Sequence, residues 1–356
     1  MDFKRLLITG GAGFVGSNLA MMFKQSQPSL TIHAVDSLKR RGSELNLPRL
    51  QENGILFSHV DVRCREDLDL LPEFDLLIDC SAEPSVQCGG TGSPAYILNA
   101  NLQGTINCLE TARVRGAPFL FLSTSRVFPI SALNQLHYRE EKSRFSWEPD
   151  NSILGFSNHG IAEDFPLDGP RSFYGASKLA GELLLQEYVY NYGLKGLINR
   201  CGILAGPWQM GKVDQGVITL WVARHYFQKP LQYIGFGGKG KQVRDLLHIA
   251  DLFDLLVLQI RNMSSWDGRI YNVGGGADVS LSLLELTRLC ESVSGRRIDI
   301  TPVPETAKTD LRIYITDSRK VARDFGWQPR RRAEQIVHDI YHWIDQNPNA
   351  LKPILA

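Results

Sequence analysis

The feature that most constrains the fold is a glycine-rich stretch near the start of the sequence, with glycines at positions 10, 13 and 16. It follows an apolar run over 5–9 that predicts a strand, and it leads into a segment that predicts a helix. Glycine permits a tight turn and lets backbone N–H groups approach a phosphate at a helix N-terminus. The order of strand, glycines and helix therefore predicts a turn that binds the pyrophosphate of a dinucleotide. A glycine turn without a ligand is the less favoured alternative.

A second predicted strand, over 31–36, ends at Asp36, 20 residues after Gly16. A carboxylate at this position accepts hydrogen bonds from the ribose diol of the adenosine. Its negative charge repels a 2′-phosphate, which favours NAD over NADP as the cofactor. Arg40 and Arg41 lie close by in the sequence and argue in the opposite direction.

Alternating strands and helices predict the fold class. Apolar runs predict strands separated by amphipathic helices in the first half of the chain, at 5–9, 31–36, 55–60, 75–80, 118–123 and 196–200. Continuous apolar strands with helices between them imply a parallel sheet that is covered on both faces. We predict an α/β fold, a Rossmann-type doubly wound parallel sheet with a smaller α/β substrate-binding domain.

The second half of the chain is less regular. Two further strands are predicted at 231–236 and 269–273, with helices at 282–293 and near 336–344. Residues 130–170 form a charged, turn-rich stretch that we interpret as a long functional loop. We expect a first domain over 1–200 that binds the cofactor and also receives roughly 245–275. The second domain is expected over 201–244 and 276–356.

Composition excludes several classes of partner. The chain carries 39 basic and 38 acidic residues, so no global charge favours nucleic acid or a membrane surface. The first apolar run is too short for a signal peptide, and no apolar stretch reaches the roughly 18 residues of a membrane span. The six cysteines lack CxxC or metal-ligand spacing. We expect reduced thiols, no metal and a cytoplasmic location.

Tyr174 and Lys178 are four residues apart at the start of an apolar helix, so they lie on one helical face. A free phenol has a pKa of about 10 and is a poor base at neutral pH. A nearby ammonium stabilises the phenolate, and the same lysine can hold the nicotinamide ribose. A YxxxK pattern alone is usually a surface tyrosine. Here it lies 50 residues after Thr124, in a hydroxyl run at the end of a predicted strand.

This combination resembles the extended short-chain dehydrogenase/reductase family of nucleotide-sugar epimerases and dehydratases. The resemblance covers nearly the whole chain and also includes motifs at 101–105, 241–251, 271–275 and 310–317. It implies that Thr124, Tyr174 and Lys178 are catalytic, with Thr124 donating a hydrogen bond to the sugar oxygen that is oxidised. It also implies NAD as cofactor, a nucleotide-diphosphate sugar as substrate, bound by the second domain, and a homodimer paired through the helices near 101–114 and 178–192.

The family pattern carries further roles to single positions. The cofactor-binding residues implied are Gly10, Gly13, Phe14, Val15, Gly16, Asp36, Ser37, Asp61, Val62, Ser81, Ala82, Glu83 and Asn101, with Tyr174 and Lys178. The substrate-binding residues implied are Glu83, Ser125, Arg126, Gln215, Arg244 and Arg312. The two last arginines would bind the diphosphate, since guanidinium groups suit phosphate oxygens. Solvated surface arginines are the alternative.

The two residues after Thr124 bear on the reaction. Family dehydratases typically carry Asp-Glu directly after this threonine, and the decarboxylases that make UDP-xylose carry a glutamate two residues past it. Here the positions are Ser125 and Arg126, which cannot act as carboxylic acids. The pattern favours oxidation and re-reduction without loss of atoms, which is epimerisation. The chain departs from the family at Asp79, often a histidine, and at Ile203, often an amide.

Residues 214–216, 217–224, 240–245 and 280–286 resemble the CDP-paratose 2-epimerase (CDP-tyvelose epimerase) branch of the family. On this resemblance alone, the reaction is epimerisation at C2 of a CDP-(di)deoxyhexose such as CDP-paratose. The alternatives are a nucleotide-sugar 4-epimerase, a net NAD(P)-dependent oxidoreductase or dehydratase, and a non-catalytic NAD-binding scaffold.

Overall fold

The protein is described from a computed structural model, which covers residues 3–90, 92–212 and 215–356. These divide into two compact units. The first comprises the chain up to Val127, Ser172–Arg200 and Leu252–Tyr271, and the second comprises Phe128–Arg171, Cys201–Asp251 and Asn272–Ala356. The second unit therefore includes 128–171, which the predicted boundaries placed in the first domain. The assignment of cofactor to the first unit and sugar nucleotide to the second stays a prediction.

The strands of the described chain are β1 (Arg5–Thr9), β2 (Thr31–Asp36), β3 (Leu56–His59), β4 (Leu76–Asp79), β5 (Phe119–Thr124), β6 (Tyr138–Glu140), β7 (Phe145–Trp147), β8 (Phe156–Ser157), β9 (Gly160–Ile161), β10 (Gly196–Cys201), β11 (Ile203–Ala205), β12 (Leu231–Ile234), β13 (Val243–His248), β14 (Ile270–Val273), β15 (Ser280–Ser282), β16 (Ile300–Val303) and β17 (Ile313–Tyr314).

The helices are α1 (Phe14–Ser26), α2 (Leu47–Glu52), α3 (Arg65–Asp69), α4 (Ala95–Leu98), α5 (Gly104–Val114), α6 (Ile130–Gln135), α7 (Phe173–Tyr192), α8 (Val217–Phe227), α9 (Ile249–Ile260), α10 (Leu283–Ser294), α11 (Arg319–Phe325), α12 (Ala333–Gln346) and α13 (Pro348–Leu355). Every strand and helix that the periodicity predicted is present. Helices α6, α9, α11 and α13 were not predicted.

A seven-stranded sheet has the order β14-β10-β5-β4-β1-β2-β3, which confirms the predicted doubly wound class. The pairs β1–β2, β2–β3, β1–β4 and β4–β5 are parallel. Strands β4, β5 and β10 are buried along their whole length, as continuous apolar strands require. The direction of winding reverses between β1 and β4. In open parallel sheets this reversal point is where ligands bind, at the carboxyl ends of the strands.

The second unit is built around β13, which pairs with β11, β15 and β17, and a separate parallel pair joins β12 to β16. Phe145, Val243 and Ile313 form one of its core clusters. The segment 130–170 was predicted as a loop, but it contains α6 and the two short hairpins β6–β7 and β8–β9. The apolar residues of this segment pack into the core: Phe145 is buried beside β13 and β17.

Asp245 in β13 makes the stability of the second unit sensitive to pH. It is buried and accepts a hydrogen bond from the Gly276 N–H at 3.1 Å, and burial raises its pKa to about 6 from 3.8. A carboxyl group with a raised pKa in the folded state stabilises the fold below its unfolded pKa, and that contribution is lost as pH rises through the folded pKa.

We therefore expect Asp245→Asn to gain stability relative to the wild type as pH rises, by about 2 kcal/mol between pH 4 and pH 6.5. Denaturant unfolding at a series of pH values measures this difference. Asp278→Asn is the matched control, because Asp278 is exposed and its replacement leaves the buried carboxyl group in place. A difference between Asp245→Asn and wild type that stays constant over this range contradicts the prediction.

Candidate active site

The glycine-rich turn connects β1 to α1 in a compact arrangement. Gly10 has a left-handed backbone with φ of 61°, and its carbonyl accepts the N–H of Gly13 at 3.0 Å. A side chain at Gly16 would place its Cβ 2.3 Å from the Gly10 carbonyl oxygen. Gly13 is the N-cap of α1 and, as a glycine, provides no side chain to cap the first turn. The first-turn N–H groups are thus available to an anion, so the turn fits a pyrophosphate.

Asp36 lies at the carboxyl end of β2, beside this turn. Its carboxylate accepts hydrogen bonds from the N–H groups of Ala12 at 3.1 Å and Leu38 at 2.8 Å. Burial raises the pKa of Asp36, and these backbone donors oppose that rise. The carboxylate is held at the end of the strand, where the sequence predicts contact with the adenosine ribose. Ser37 follows it, and its carbonyl lies 3.0 Å from His59 Nε2.

We expect tight binding of NAD and much weaker binding of NADP, because the Asp36 carboxylate repels a 2′-phosphate. Asp36→Ser, which removes that charge, is expected to raise the affinity for NADP relative to NAD. Calorimetric titration of both variants with both cofactors measures the ratio. Comparable affinities of the wild type for NAD and NADP would contradict the prediction.

Asp61 and Val62, which the resemblance implies bind the adenine of the cofactor, follow β3. The Arg63 guanidinium pairs with the Asp61 carboxylate and lowers the pKa of Asp61, and Arg63 also lies over the Tyr96 ring at 5.5 Å. Sequence reasoning missed this pairing of Arg63 with both neighbours. Val62 packs against the start of α5, since a Cβ at Gly104 would lie 2.7 Å from Val62 Cγ2.

Asn101 joins three parts of the first unit. It lies in a π-helical turn over Asn99–Gln103 between α4 and α5, and π turns are frequent at functional sites. Its Oδ1 accepts the Glu83 N–H at 2.7 Å, and its Nδ2 donates to the Glu83 carbonyl at 3.0 Å and to Ser177 Oγ at 3.3 Å. Asn101 thereby holds the loop that contains Ser81, Ala82 and Glu83 against α7, next to Lys178.

Asp79, where the family often has a histidine, is fully buried at the carboxyl end of β4. Its carboxylate accepts hydrogen bonds from Thr9 Oγ1 and Ser81 Oγ, both at 2.6 Å, and from Thr105 Oγ1 at 3.4 Å. Thr9 and Asp79 are register partners in neighbouring strands. The carboxylate therefore ties together the chain segments that leave β1 and β4, at the reversal point of the sheet.

The catalytic candidates lie where β5 meets α7. Thr124 ends β5, and its Oγ1 accepts the Arg126 N–H at 3.2 Å within a 3-10 turn over Ser125–Val127. Helix α7 contacts both β5 and this turn. Ser172 is the N-cap of α7 and accepts the Gly175 N–H at 3.2 Å, which places Tyr174 in the first turn.

Lys178 is buried one turn after Tyr174. Its Nζ lies 4.1 Å from the centre of the Phe121 ring in β5. This cation–π contact directs the ammonium toward the sheet rather than toward solvent. Tyr174 is half-buried and Lys178 is buried, so the pair does not lie at the surface, and its catalytic role stays a prediction.

A buried ion pair fixes this helix to the sheet. Glu182 lies one further turn along α7, and its carboxylate pairs with the Arg200 guanidinium of β10 at 2.8 Å and also accepts the Ser123 hydroxyl of β5. The side chains of Glu182 and Arg200 are 1% and 2% exposed. Sequence reasoning did not assign Glu182 a role. An acidic residue at four-residue spacing after Lys178, on the apolar face of the same helix, was the available signal.

Arg244 and Arg312 are the residues predicted to bind the diphosphate. Arg244 lies in β13, and Arg312 directly precedes β17, the strand that pairs with β13. Arg244 in β13 donates to the Leu311 carbonyl at 2.6 Å, next to Arg312. The backbone N–H of Arg312 donates a hydrogen bond to Asn134 Oδ1 at 2.8 Å. The Arg312 guanidinium lies 3.9 Å from the centre of the Tyr138 ring. Both side chains are half-buried, which does not match freely solvated surface arginines.

Gln215 is half-buried and its carbonyl accepts the Lys212 N–H at 2.6 Å. Asp214 of the same motif lies outside the described residues. Ile203, which replaces a family amide, lies in β11 opposite Leu246.

Across the described ranges, no cluster of three or more His, Cys, Asp or Glu residues is arranged to hold a metal ion. No helix in the described part of the chain is long and apolar enough to cross a bilayer.

The chain is similar to a known protein family and to individual proteins of known name. The model of the NAD dependent epimerase/dehydratase family matches residues 6–274. CDP-paratose 2-epimerase of Salmonella typhi is 31% identical over 351 residues, which cover 95% of this chain and 98% of that protein. dTDP-glucose 4,6-dehydratase of Salmonella typhimurium is 27% identical and covers 96% of this chain and 93% of its own length.

Solved structures share the fold. UDP-glucuronic acid 4-epimerase from Bacillus cereus, in complex with UDP-glucuronic acid and NAD, matches with a TM-score of 0.78 at 22% identity, over 96% of this chain and 99% of that one. dTDP-glucose 4,6-dehydratase from Streptomyces venezuelae, solved with NAD bound, has a TM-score of 0.76 at 25% identity, over 98% and 99%.

Proposed function

Because the chain belongs to the NAD-dependent epimerase/dehydratase family, we propose that it inverts C2 of a CDP-(di)deoxyhexose such as CDP-paratose. One observation supports this choice most strongly. The Salmonella typhi relative that matches along 98% of its own length is named a CDP-paratose 2-epimerase. The identity of 31% supports the family, and the substrate is the subject of the experiment below.

Three side chains of the first unit supply the chemistry in this proposal. Tyr174 takes the proton of the sugar hydroxyl as the carbon is oxidised and returns it on reduction. The Lys178 ammonium stabilises the phenolate and holds the cofactor ribose. Thr124 donates a hydrogen bond to the reacting oxygen. NAD, when bound, would supply the hydride acceptor for oxidation of the sugar carbon and the hydride donor for its reduction on the opposite face.

The residues after Thr124 favour epimerisation over elimination. Ser125 and Arg126 occupy the 3-10 turn that follows the strand, and Arg126 is half-buried there. Neither side chain is a carboxylic acid, so neither can protonate a leaving hydroxyl or accept a proton as family dehydratases require. A keto sugar formed here is therefore expected to be reduced again without loss of water or carbon dioxide.

Arg244 and Arg312 remain our candidates for the diphosphate, and Glu83 and Gln215 for other parts of the substrate. The alternative reactions are 4-epimerisation, dehydration or net oxidation, and relatives named dTDP-glucose 4,6-dehydratase keep dehydration open. A non-catalytic scaffold is the least favoured alternative, because Thr124, Tyr174 and Lys178 are all present where β5 meets α7.

The test is to incubate the purified protein with CDP-, UDP-, GDP- and dTDP-sugars and to follow C2 and C4 by NMR. We expect inversion at C2 of a CDP-sugar, NAD that is oxidised at the end, and retention of a C2 deuterium in the same molecule. Inversion at C4, a 4-keto-6-deoxy product or accumulation of NADH would each replace the proposal by the corresponding alternative. Loss of deuterium to solvent would contradict oxidation and return.

Assembly stays a prediction that this proposal includes. Leu183, Tyr190 and Tyr192 are exposed on α7, and Val114 is exposed at the end of α5. Such apolar groups on the helices that the resemblance assigns to pairing favour a homodimer. Light scattering at micromolar concentration is expected to give twice the mass of 39.9 kDa. A monomer at that concentration would count against it. The cytoplasmic location is likewise a prediction.

A further inference from the structure

Hydrogen bonds connect a partly buried arginine to the glycine-rich turn between β1 and α1. Arg49 is in α2, a helix that the sequence analysis did not single out. Its guanidinium donates two hydrogen bonds of 2.9 Å, through Nη1 to Asn46 Oδ1 and through Nη2 to Asn18 Oδ1. Both partners are neutral amides, and both are buried.

Each amide also donates a hydrogen bond to a backbone carbonyl in or next to the turn. Asn46 Nδ2 donates to the Ala12 carbonyl at 2.8 Å, and Asn18 Nδ2 donates to the Phe14 carbonyl at 2.8 Å. The N–H of Ala12 is held by Asp36, as described above. The guanidinium thus fixes the orientation of both amides, and through them the carbonyl of Ala12 in the turn and the carbonyl of Phe14 at the start of α1.

We propose that Arg49 is a positioning residue for the cofactor pyrophosphate, acting through its fixed positive charge and through this relay to the turn. The charge lies within two hydrogen bonds of the segment whose N–H groups are open to an anion. In a partly buried setting a charge at this range is screened less than it is at the surface. Burial lowers the pKa of Arg49 to about 10, so the group stays protonated at neutral pH.

The Arg49 charge has opposite effects on the free and the cofactor-bound protein. Burial of the charge disfavours the free protein, whereas the bound pyrophosphate is stabilised by it. A residue with only a structural role would lower stability when replaced. A residue that also serves the anion is expected, when replaced, to lower the affinity for ADP-ribose more than the affinity for adenosine.

The experiment compares Arg49→Gln, which removes the charge, with Arg49→Lys, which keeps it. Binding of ADP-ribose and of adenosine to the cofactor-free protein is measured by calorimetry, since only ADP-ribose carries the pyrophosphate. We expect Arg49→Gln to weaken ADP-ribose about tenfold and to leave adenosine within about twofold, and we expect Arg49→Lys to recover most of the loss. Thermal unfolding without ligand is expected to occur at a lower temperature in Arg49→Gln than in the wild type, because the buried oxygens of Asn18 and Asn46 lose the Arg49 donor.

Lys4→Gln is the matched control, because Lys4 is exposed on the same unit and its replacement changes the net charge equally. It should bind both ligands as the wild type does. Equal weakening of adenosine and ADP-ribose by Arg49→Gln, or no recovery in Arg49→Lys, would overturn the proposal. If Arg49→Gln does not fold, Arg49→Met repeats the test with an apolar side chain of similar length. None of these outcomes depends on which sugar carbon reacts, so failure here is distinguishable from failure of the proposed function.

Discussion

Tyr174→Phe is expected to lower turnover by roughly 10²–10⁴-fold, because it removes the group that takes the proton of the sugar hydroxyl. The ring and its place in the first turn of α7 are kept, so folding and NAD affinity should change little. Steady-state kinetics with the substrate identified by the NMR panel measure the effect, and calorimetry with NAD checks the binding site.

Tyr190→Phe is the matched control for this experiment, since Tyr190 lies on the same helix and is 86% exposed. It should retain the wild-type rate. Thr124→Val is expected to cost less than Tyr174→Phe, because it loses a hydrogen bond rather than the proton acceptor. A Tyr174→Phe enzyme that works near the wild-type rate would require another base, and the roles given to Tyr174 and Lys178 would be withdrawn.

Glu182→Gln is expected to cost about 3–5 kcal/mol of unfolding free energy, because it leaves the Arg200 guanidinium buried without its countercharge. The loss should be accompanied by reduced activity, since Glu182 and Ser123 join α7 to β5 on either side of the catalytic residues. Denaturant unfolding followed by circular dichroism measures the change. Retention of wild-type stability in Glu182→Gln contradicts the role given to this pair.

Glu187→Gln serves as the control, since Glu187 is exposed on the same helix and bonds only Asn191 among the contacts described for it. Its stability should match the wild type. The double variant Glu182→Met with Arg200→Met should be more stable than either single variant, because apolar side chains of similar volume replace both charges together. A double variant as unstable as the worse single one would show that the charges are not the cause.

Local sequence determined the framework of the first unit. The glycines, the strand before them and Asp36 lie within one continuous segment, and turn chemistry and strand periodicity act over neighbouring residues. Tyr174 and Lys178 are four residues apart, so helical geometry alone predicts that they share one face of α7. These features were predictable because each depends on residues close together in the chain.

Only the tertiary structure decided which distant residues meet. Asn101 contacts Glu83 and Ser177, and Glu182 contacts Ser123 and Arg200, across separations that no periodicity encodes. The segment 128–171 joins the second unit because its apolar side chains, such as Phe145, are buried against β13 rather than because of any local signal. Buried polar groups must find partners wherever the fold brings them, and that requirement is satisfied by topology rather than by sequence spacing.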